Sequence, residues 1–183
     1  MNGPDALTYV FAEPIVTKRL TLRLMTAGDL DDVVAYQGRE DVCRYLLHGP
    51  RSREDLLPRI AEWGAATRVT RDDDYLQLAS AENLQGEIGW TLHPDFFGRG
   101  YATEASRAIL DLAFDTIGLH RMRAELDPRN DASIALSLRL GMRHEATFRQ
   151  DLWSKGEWAD TGVYAILAEE WAARKGGAEA GVD

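Results

Sequence analysis

The chain has 183 residues, a length for one globular domain, and its 45% apolar against 28% charged residues excludes disordered and fibrous classes. With 21 Lys and Arg against 30 Asp and Glu the formal charge is −9, which repels polyanions and argues against nucleic acid or an anionic membrane as partner, while tolerating a cationic substrate. Cys43 is the single cysteine and has no Cys or His at ligand spacing, so neither a disulfide nor a metal site is expected and a reducing compartment is. Residues 1–8 hold no basic n-region or apolar h-region, and no run of about 18 apolar residues occurs, so a cytoplasmic protein without signal peptide or membrane span is expected.

No repeat or internal linker divides the chain, so one domain over residues 9–172 is expected, with 1–8 and 173–183 as flexible tails lacking an apolar period. The alternation over 20–24 predicts a strand, and Thr26 offers a capping oxygen before a helix with Leu30, Val33 and Val34 on one face. Ser52 opens a second helix with Leu56, Leu57, Ile60 and Trp63 inward, which Pro58 is expected to kink or shorten. Residues 75–79 and 86–93 read as strands. In the latter, Ile88, Trp90 and Leu92 alternate against Glu87, Gly89, Thr91 and His93, which sets Glu87 opposite the apolar face. From Ala102 the period changes: Ala105, Ala108, Ile109, Leu112 and Ala113 mark an amphipathic helix that Gly118 ends. A strand over 121–126 then completes a crossover between two parallel strands. Asn130 or Asp131 caps a further helix containing Ala135, Leu138 and Leu140 and stopped by Gly141, and 145–153 with 158–167 form a hairpin around Ser154-Lys-Gly-Glu157.

Chemistry concentrates where the 86–93 strand meets the next helix through Gly98-Arg99-Gly100. The first four N–H groups of a helix have no internal partner and lie at the positive end of its dipole, and glycines let a phosphate approach the backbone. A pyrophosphate fits there even in an acidic protein, because contact-range attraction outlasts a net field screened over about 10 Å. On spacing alone, a glycine turn that merely connects two elements is the plain alternative.

These residues resemble the GCN-related N-acetyltransferase superfamily, in particular its RimJ/RimL-like branch. The likeness runs over about 15–171 and is carried by Arg19-Leu-Thr-Leu-Arg-Leu24, the 89–94 strand, Gly98-Arg-Gly-Tyr-Ala-Thr-Glu-Ala105, Asn130-Asp-Ala-Ser133, Leu140-Gly-Met142 and Glu169-Glu-Trp171. The family's acyl-CoA signature falls on Phe97-Gly-Arg-Gly-Tyr-Ala102, with Phe97 departing at the first position. The resemblance implies a single α/β domain with a mixed, mostly antiparallel sheet flanked by helices. It also implies that main-chain amides from Gly98 to Ala102 hold the pyrophosphate of acetyl-CoA. The cofactor contacts then comprise Trp90, Thr91, Leu92, Phe97, Gly98, Arg99, Gly100, Tyr101, Ala102, Thr103, Asn130 and Ser133, with the pantetheine arm inserted between splayed strands.

Acetyl transfer to an amine requires a base, since an alkyl ammonium with a pKa near about 10 must first lose its proton. Glu87 matches the position of the base in many relatives; a solvated strand carboxylate is the plain alternative. Ser137 falls where a hydroxyl often protonates the leaving thiolate, commonly tyrosine, and serine there looks like the RimL-type variant; a helix-face hydroxyl is the plain alternative. Asn130 reads equally as a simple cap. An amide near Trp90 or Thr91 suits the oxyanion. Cys43 sits in no setting that marks an acyl-carrying nucleophile, so direct transfer in a ternary complex is expected, to a protein N-terminus or a small amine. The acceptor pocket is expected from residues 43–74 and the hairpin around Lys155 and Gly156, where Asp151, Glu157 and Asp160 suit a cation.

Two other classes stay open, a catalytically idle acyl-CoA sensor and a dinucleotide-binding enzyme. For the latter, Gly98-x-Gly100 opens a helix after a strand and Glu125 lies on the following strand, but the third glycine position holds Thr103 and no second mononucleotide half follows. A homodimer also stays open. The likeness departs at 80–85, too short for the additional strand that relatives usually carry there.

Overall fold

The computed structural model describes residues 9–69 and 84–179. The strand expected over 75–79, the departure at 80–85 and the tail at 1–8 lie wholly or largely outside these. The central sheet has strands β5 (Gln85–Glu87), β6 (Arg121–Leu126), β7 (Arg143–Ser154) and β8 (Glu157–Leu167) in the order β5-β6-β8-β7. β5 and β6 are parallel, with Glu87 opposite Arg123, while β6–β8 and β8–β7 are antiparallel, so the sheet is mixed as expected. Two short pairs stand apart from it: β1 (Tyr9–Val10) with β4 (Arg68–Val69), and β2 (Ile15–Val16) with β3 (Thr21–Leu22). The alternation over 20–24 thus yields only two ladder residues, folded back on Ile15 and Val16.

Helix α1 (Leu30–Gln37) buries Leu30 and Val33, and α2 (Glu40–Cys43) follows directly. In α3 (Arg53–Ala65), Ser52 Oγ accepts from Asp55 N while Asp55 Oδ2 accepts from Ser52 N at 2.9 Å, a reciprocal cap that satisfies two orphan donors. Pro58 lies inside α3, which nevertheless runs on for thirteen residues, so no shortening occurs. Leu57, expected inward, is 57% exposed: the α3 seam against α1 is narrow and takes only Leu56 and Ile60 fully.

The crossover from β5 to β6 runs through α4 (Tyr101–Asp111), which leads into a π-helical stretch, Leu112–Ile117, ended by Gly118 at φ 81°. The widened turn brings Leu112, Ala113 and Phe114, three consecutive residues, into the core. There they join Leu110, Met122, Leu140, Met142, Ile166 and Trp171 between the sheet, α5 (Asp131–Leu140) and α6 (Ala168–Glu179). Helix α6 continues to Glu179, so residues 173–179, read as tail, are helical; Lys175 Nζ donates to Asp111 Oδ1 and Asp115 Oδ2, tying it to the end of α4. Among the described residues, no helix is long and apolar enough to cross a membrane.

The strand expected over 86–93 pairs only to Glu87, and its last bond to β6 runs from Ile88 N to Arg123 O at 2.8 Å. The burial alternation persists through Gly86, Glu87 and Ile88, but the chain then leaves β6, which continues to Leu126 paired with β8 alone. Because alternation records which face is buried and not which backbone is paired, the pattern reads longer than the ladder.

Leu110→Ala, at a fully buried position of α4, is expected to cost about 2–5 kcal/mol in urea unfolding. Leu57→Ala is expected to stay within about 0.5 kcal/mol, and equal losses would contradict this core.

Candidate functional site

His93 caps a short 3-10 turn, Pro94–Phe96, by accepting from Asp95 N at 3.2 Å, and Phe97 N donates to Pro94 O at 3.0 Å. Gly98 at φ 71° and Gly100 at φ 77° then take left-handed backbone that other L-residues rarely adopt, and α4 begins at Tyr101. The first helical bond is Glu104 N to Gly100 O at 3.0 Å. Among the described residues, the six successive amides from Gly98 to Thr103 donate to no protein group. Such a run of N–H groups at a helix start is a concentrated positive partial charge.

A clamp 85 residues away in sequence holds this loop. The turn between β2 and β3 grips the Glu104 carboxylate: Thr17 Oγ1 donates to Oε1 at 2.7 Å, Arg19 N to Oε1 at 2.8 Å and Arg19 Nε to Oε2 at 2.6 Å. Arg19 also donates from Nη1 to Arg99 O at 2.9 Å and lies 4.7 Å from the Tyr101 ring centroid. Since the peptide unit is planar and trans, drawing the Arg99 carbonyl toward Arg19 turns the Gly100 N–H the opposite way. The Glu104 carboxylate, which follows the bare amides in the chain, is at the same time engaged. Local spacing gives Thr17, Arg19 and Glu104 no role; Arg19 and Glu104 lie in segments that carry the family likeness, and Thr17 lies just before the first of them.

The loop walls a cavity of about 1390 Å³ that also reaches the diverging segment at Trp90–Leu92 and, at another end, Asp41, Val42, Tyr45 and Leu46. Of the twelve expected cofactor contacts all line it except Arg99, whose guanidinium lies over Phe96 at 5.8 Å. On α5, Asn130 Oδ1 accepts from Ser133 N at 3.1 Å, so Asn130 is the cap. Trp90 Nε1 donates to Ser133 Oγ at 3.1 Å, joining two walls of the cavity.

The two expected catalytic residues are placed differently. Glu87 does not line the cavity; its carboxylate, 38% exposed, meets Arg123 Nη2 at 3.3 Å, and the same nitrogen lies 3.3 Å from Glu125 Oε1. Ser137 is fully buried behind the cavity wall, and its hydroxyl donates to Ser133 O at 3.1 Å. Ser133, one turn earlier on α5, is the serine that lines the cavity.

The hairpin tip and the 43–47 segment come together as expected. Lys155 Nζ donates to Cys43 O at 2.9 Å and Arg44 O at 2.7 Å, and Ser154 Oγ to Leu47 O at 3.2 Å. Two of the three carboxylates expected to draw a cation are already engaged: Glu157 with Arg129 at 2.9 Å, and Asp160 as acceptor from Gln150 N at 2.8 Å. Cys43 is buried, its thiol donates to Gln37 O at 3.3 Å, and burial pushes that thiol up from its ordinary pKa.

Comparison with known proteins agrees with this geometry. A family model described as an acetyltransferase (GNAT) domain matches residues 19–143. An N-acetyltransferase of Bacillus subtilis strain 168, YnaD, is 33% identical over 168 residues, covering 86% of this chain and 98% of that protein. The crystal structure of a GNAT-family acetyltransferase from Bacillus anthracis superposes with a TM-score of 0.75 at 30% identity, covering 85% of this chain and 99% of its own. A Vibrio cholerae spermidine N-acetyltransferase, solved with CoA and spermine, shares the fold at a TM-score of 0.68 and 17% identity, covering 82% and 96%.

The Thr17 hydroxyl and then Arg19 hold the Glu104 carboxyl below the ordinary glutamate range. With the folded value lowered, the clamp is complete above the unfolded value of about 4.3 and is lost as pH falls through the folded one. Amide resonances of Gly98 and Gly100 are therefore expected to hold steady from about pH 7 to 5 and to move below about pH 4. In Glu104→Gln they are displaced already at neutral pH and no longer titrate; the same acid titration in that variant would refute the clamp.

Proposed function

We propose, from the premise that this chain belongs to the GNAT acetyltransferase family, that it transfers the acetyl group of acetyl-CoA to a primary amine, of a protein N-terminus or a small molecule, within one domain over residues 9–172. The observation that carries this reading is the run of six bare amides, Gly98 to Thr103, on the wall of a cavity that continues to Trp90–Leu92 and the start of α5. Those residues fit a coenzyme diphosphate, and the part of the cavity between Trp90–Leu92 and α5 fits an extended thiol arm.

When bound, acetyl-CoA supplies an acyl thioester. Everything else falls to this chain. The amides from Gly98 to Ala102 hold the diphosphate, with Thr103 beside them. Glu87 takes the proton of the acceptor ammonium through water, consistent with its place outside the cavity wall, and Arg123 fixes the carboxylate. The main-chain N–H groups of Trp90 and Thr91, which bond no described residue, are the donors for the carbonyl oxygen as charge develops there.

Of the two serines, Ser133 is the better hydroxyl for the departing sulfur. It accepts from Trp90 Nε1 and so keeps its own hydrogen to give, whereas the hydrogen of Ser137 is committed to Ser133 O. Cys43, buried and absent from the cavity lining, supports transfer without a covalent enzyme intermediate.

The test is thiol release from acetyl-CoA with a panel of amines, beside calorimetric titration of the coenzyme. Glu87→Gln is expected to leave coenzyme affinity unchanged within about twofold and to lower turnover by about 100-fold or more. Unaltered turnover across pH 6–9 would remove Glu87 as the base. Binding without release for any amine would favour an acyl-CoA sensor.

A further inference from the structure

The tip of the β7–β8 hairpin is a two-residue turn, Lys155-Gly156, between the paired Ser154 and Glu157, and both central residues are left-handed, at φ 51° and 85°. Turns of this kind favour Asn-Gly, because asparagine tolerates left-handed backbone better than a long side chain does. Lys155 stands at the first position, and its ammonium reaches where asparagine could not. Nζ donates to Cys43 O at 2.9 Å and to Arg44 O at 2.7 Å, carbonyls at the end of α2, where helical partners run out. Ser154 Oγ adds Leu47 O at 3.2 Å. Among the described residues the other hydrogen bonds of 43–47 are local: Cys43 N to Arg39 O, Cys43 Sγ to Gln37 O and Leu46 N to Cys43 O. The tip is braced on its other flank, where Glu157 accepts from Arg129 Nη1 at 2.9 Å, next to the Asn130 cap of α5.

Val42, Tyr45 and Leu46, in and beside the segment that Lys155 holds, line the cavity, whereas Lys155 itself does not. The reading above gives the coenzyme the 98–103 loop, Trp90–Leu92 and the start of α5, which leaves this wall for the acceptor. Two aliphatic side chains and a phenol ring, all partly buried, suit the carbon body of an amine, and the adjacent Asp41 carboxylate is paired with Arg39 at 2.8 Å. We propose that Lys155 is a positioning residue for the acceptor: by capping the Cys43 and Arg44 carbonyls it fixes the wall on which the amine packs. The assignment rests on the transfer reading above. Lys155 acts through the main chain that it holds, so its loss weakens the ground state and the transition state alike, which raises the KM of the amine and leaves kcat in place.

Lys155→Asn is the informative variant, since it removes the ammonium while supplying the residue that the turn prefers. On the full chain, thiol release is followed with the best amine of the panel, beside calorimetric titration of CoA, urea unfolding and hydrogen–deuterium exchange. The variant is expected to raise the KM of the amine about fivefold or more, with kcat and CoA affinity within about twofold. Its urea midpoint stays at or above that of the unaltered chain. Exchange quickens at 42–47 and is unchanged at 98–103. Lys155→Arg returns the KM to within about twofold, since charge, reach and donors come back. An unchanged KM, or unchanged exchange at 42–47, overturns the proposal. So does a CoA affinity that falls in step with the KM, which would give the wall to the coenzyme, or a lowered urea midpoint with kcat reduced as well, which would make Lys155 a staple of the fold. Absence of thiol release by the unaltered chain with every amine overturns the transfer reading itself, and exchange at 42–47 then still decides whether Lys155 holds the wall.

Discussion

A carboxylate near the start of a helix usually turns back on the helix's own amides, and the site described here depends on Glu104 not doing so. Its oxygens go to Thr17 and Arg19, while the other edge of the Arg19 guanidinium takes the carbonyl of Arg99. The result is a loop in which the Arg99 and Gly100 carbonyls accept from the protein, while the amides from Gly98 to Thr103 donate to no described group. Left-handed backbone at Gly98 and Gly100 makes the path possible, and the β2–β3 turn keeps it in place. Such ordering before a ligand arrives lowers the entropy lost on binding.

The second constraint is the early end of the β5–β6 ladder. Three residue pairs join the strands in parallel, enough to fix the direction of the chain entering the loop, and the divergence that follows carries Trp90–Leu92 to the cavity wall. The indole of Trp90 reaches Ser133 and holds the α5 N-terminus at a set distance from the diverging chain. One hydrogen bond therefore ties the capped start of α5 to the segment at Trp90.

Much of this was legible in the chain itself. The α4 period, the six-residue strand at 121–126, the Asn130 cap, the stop at Gly141 and the long hairpin each rest on local rules of spacing and turn chemistry, and each stands where those rules put it. What local rules do not carry is partnership across the chain. Glu104 shows no sign of its attachment 85 residues upstream, and alternation past Glu87 does not reveal that the ladder has stopped. The π-helical turn at 112–117 hides in an otherwise regular apolar period. Which of Ser133 and Ser137 keeps its hydroxyl hydrogen uncommitted depends on which carbonyl lies one turn back and on where an indole from another element points.

The proposed hold of main-chain N–H groups at the start of α4 on the coenzyme is tested directly by hydrogen–deuterium exchange on the full chain, with and without saturating CoA. The strongest slowing of exchange is expected on residues 98–103, with a weaker effect at 90–92 and 130–133. Tight binding that leaves 98–103 exchanging as fast as in the free protein would contradict it.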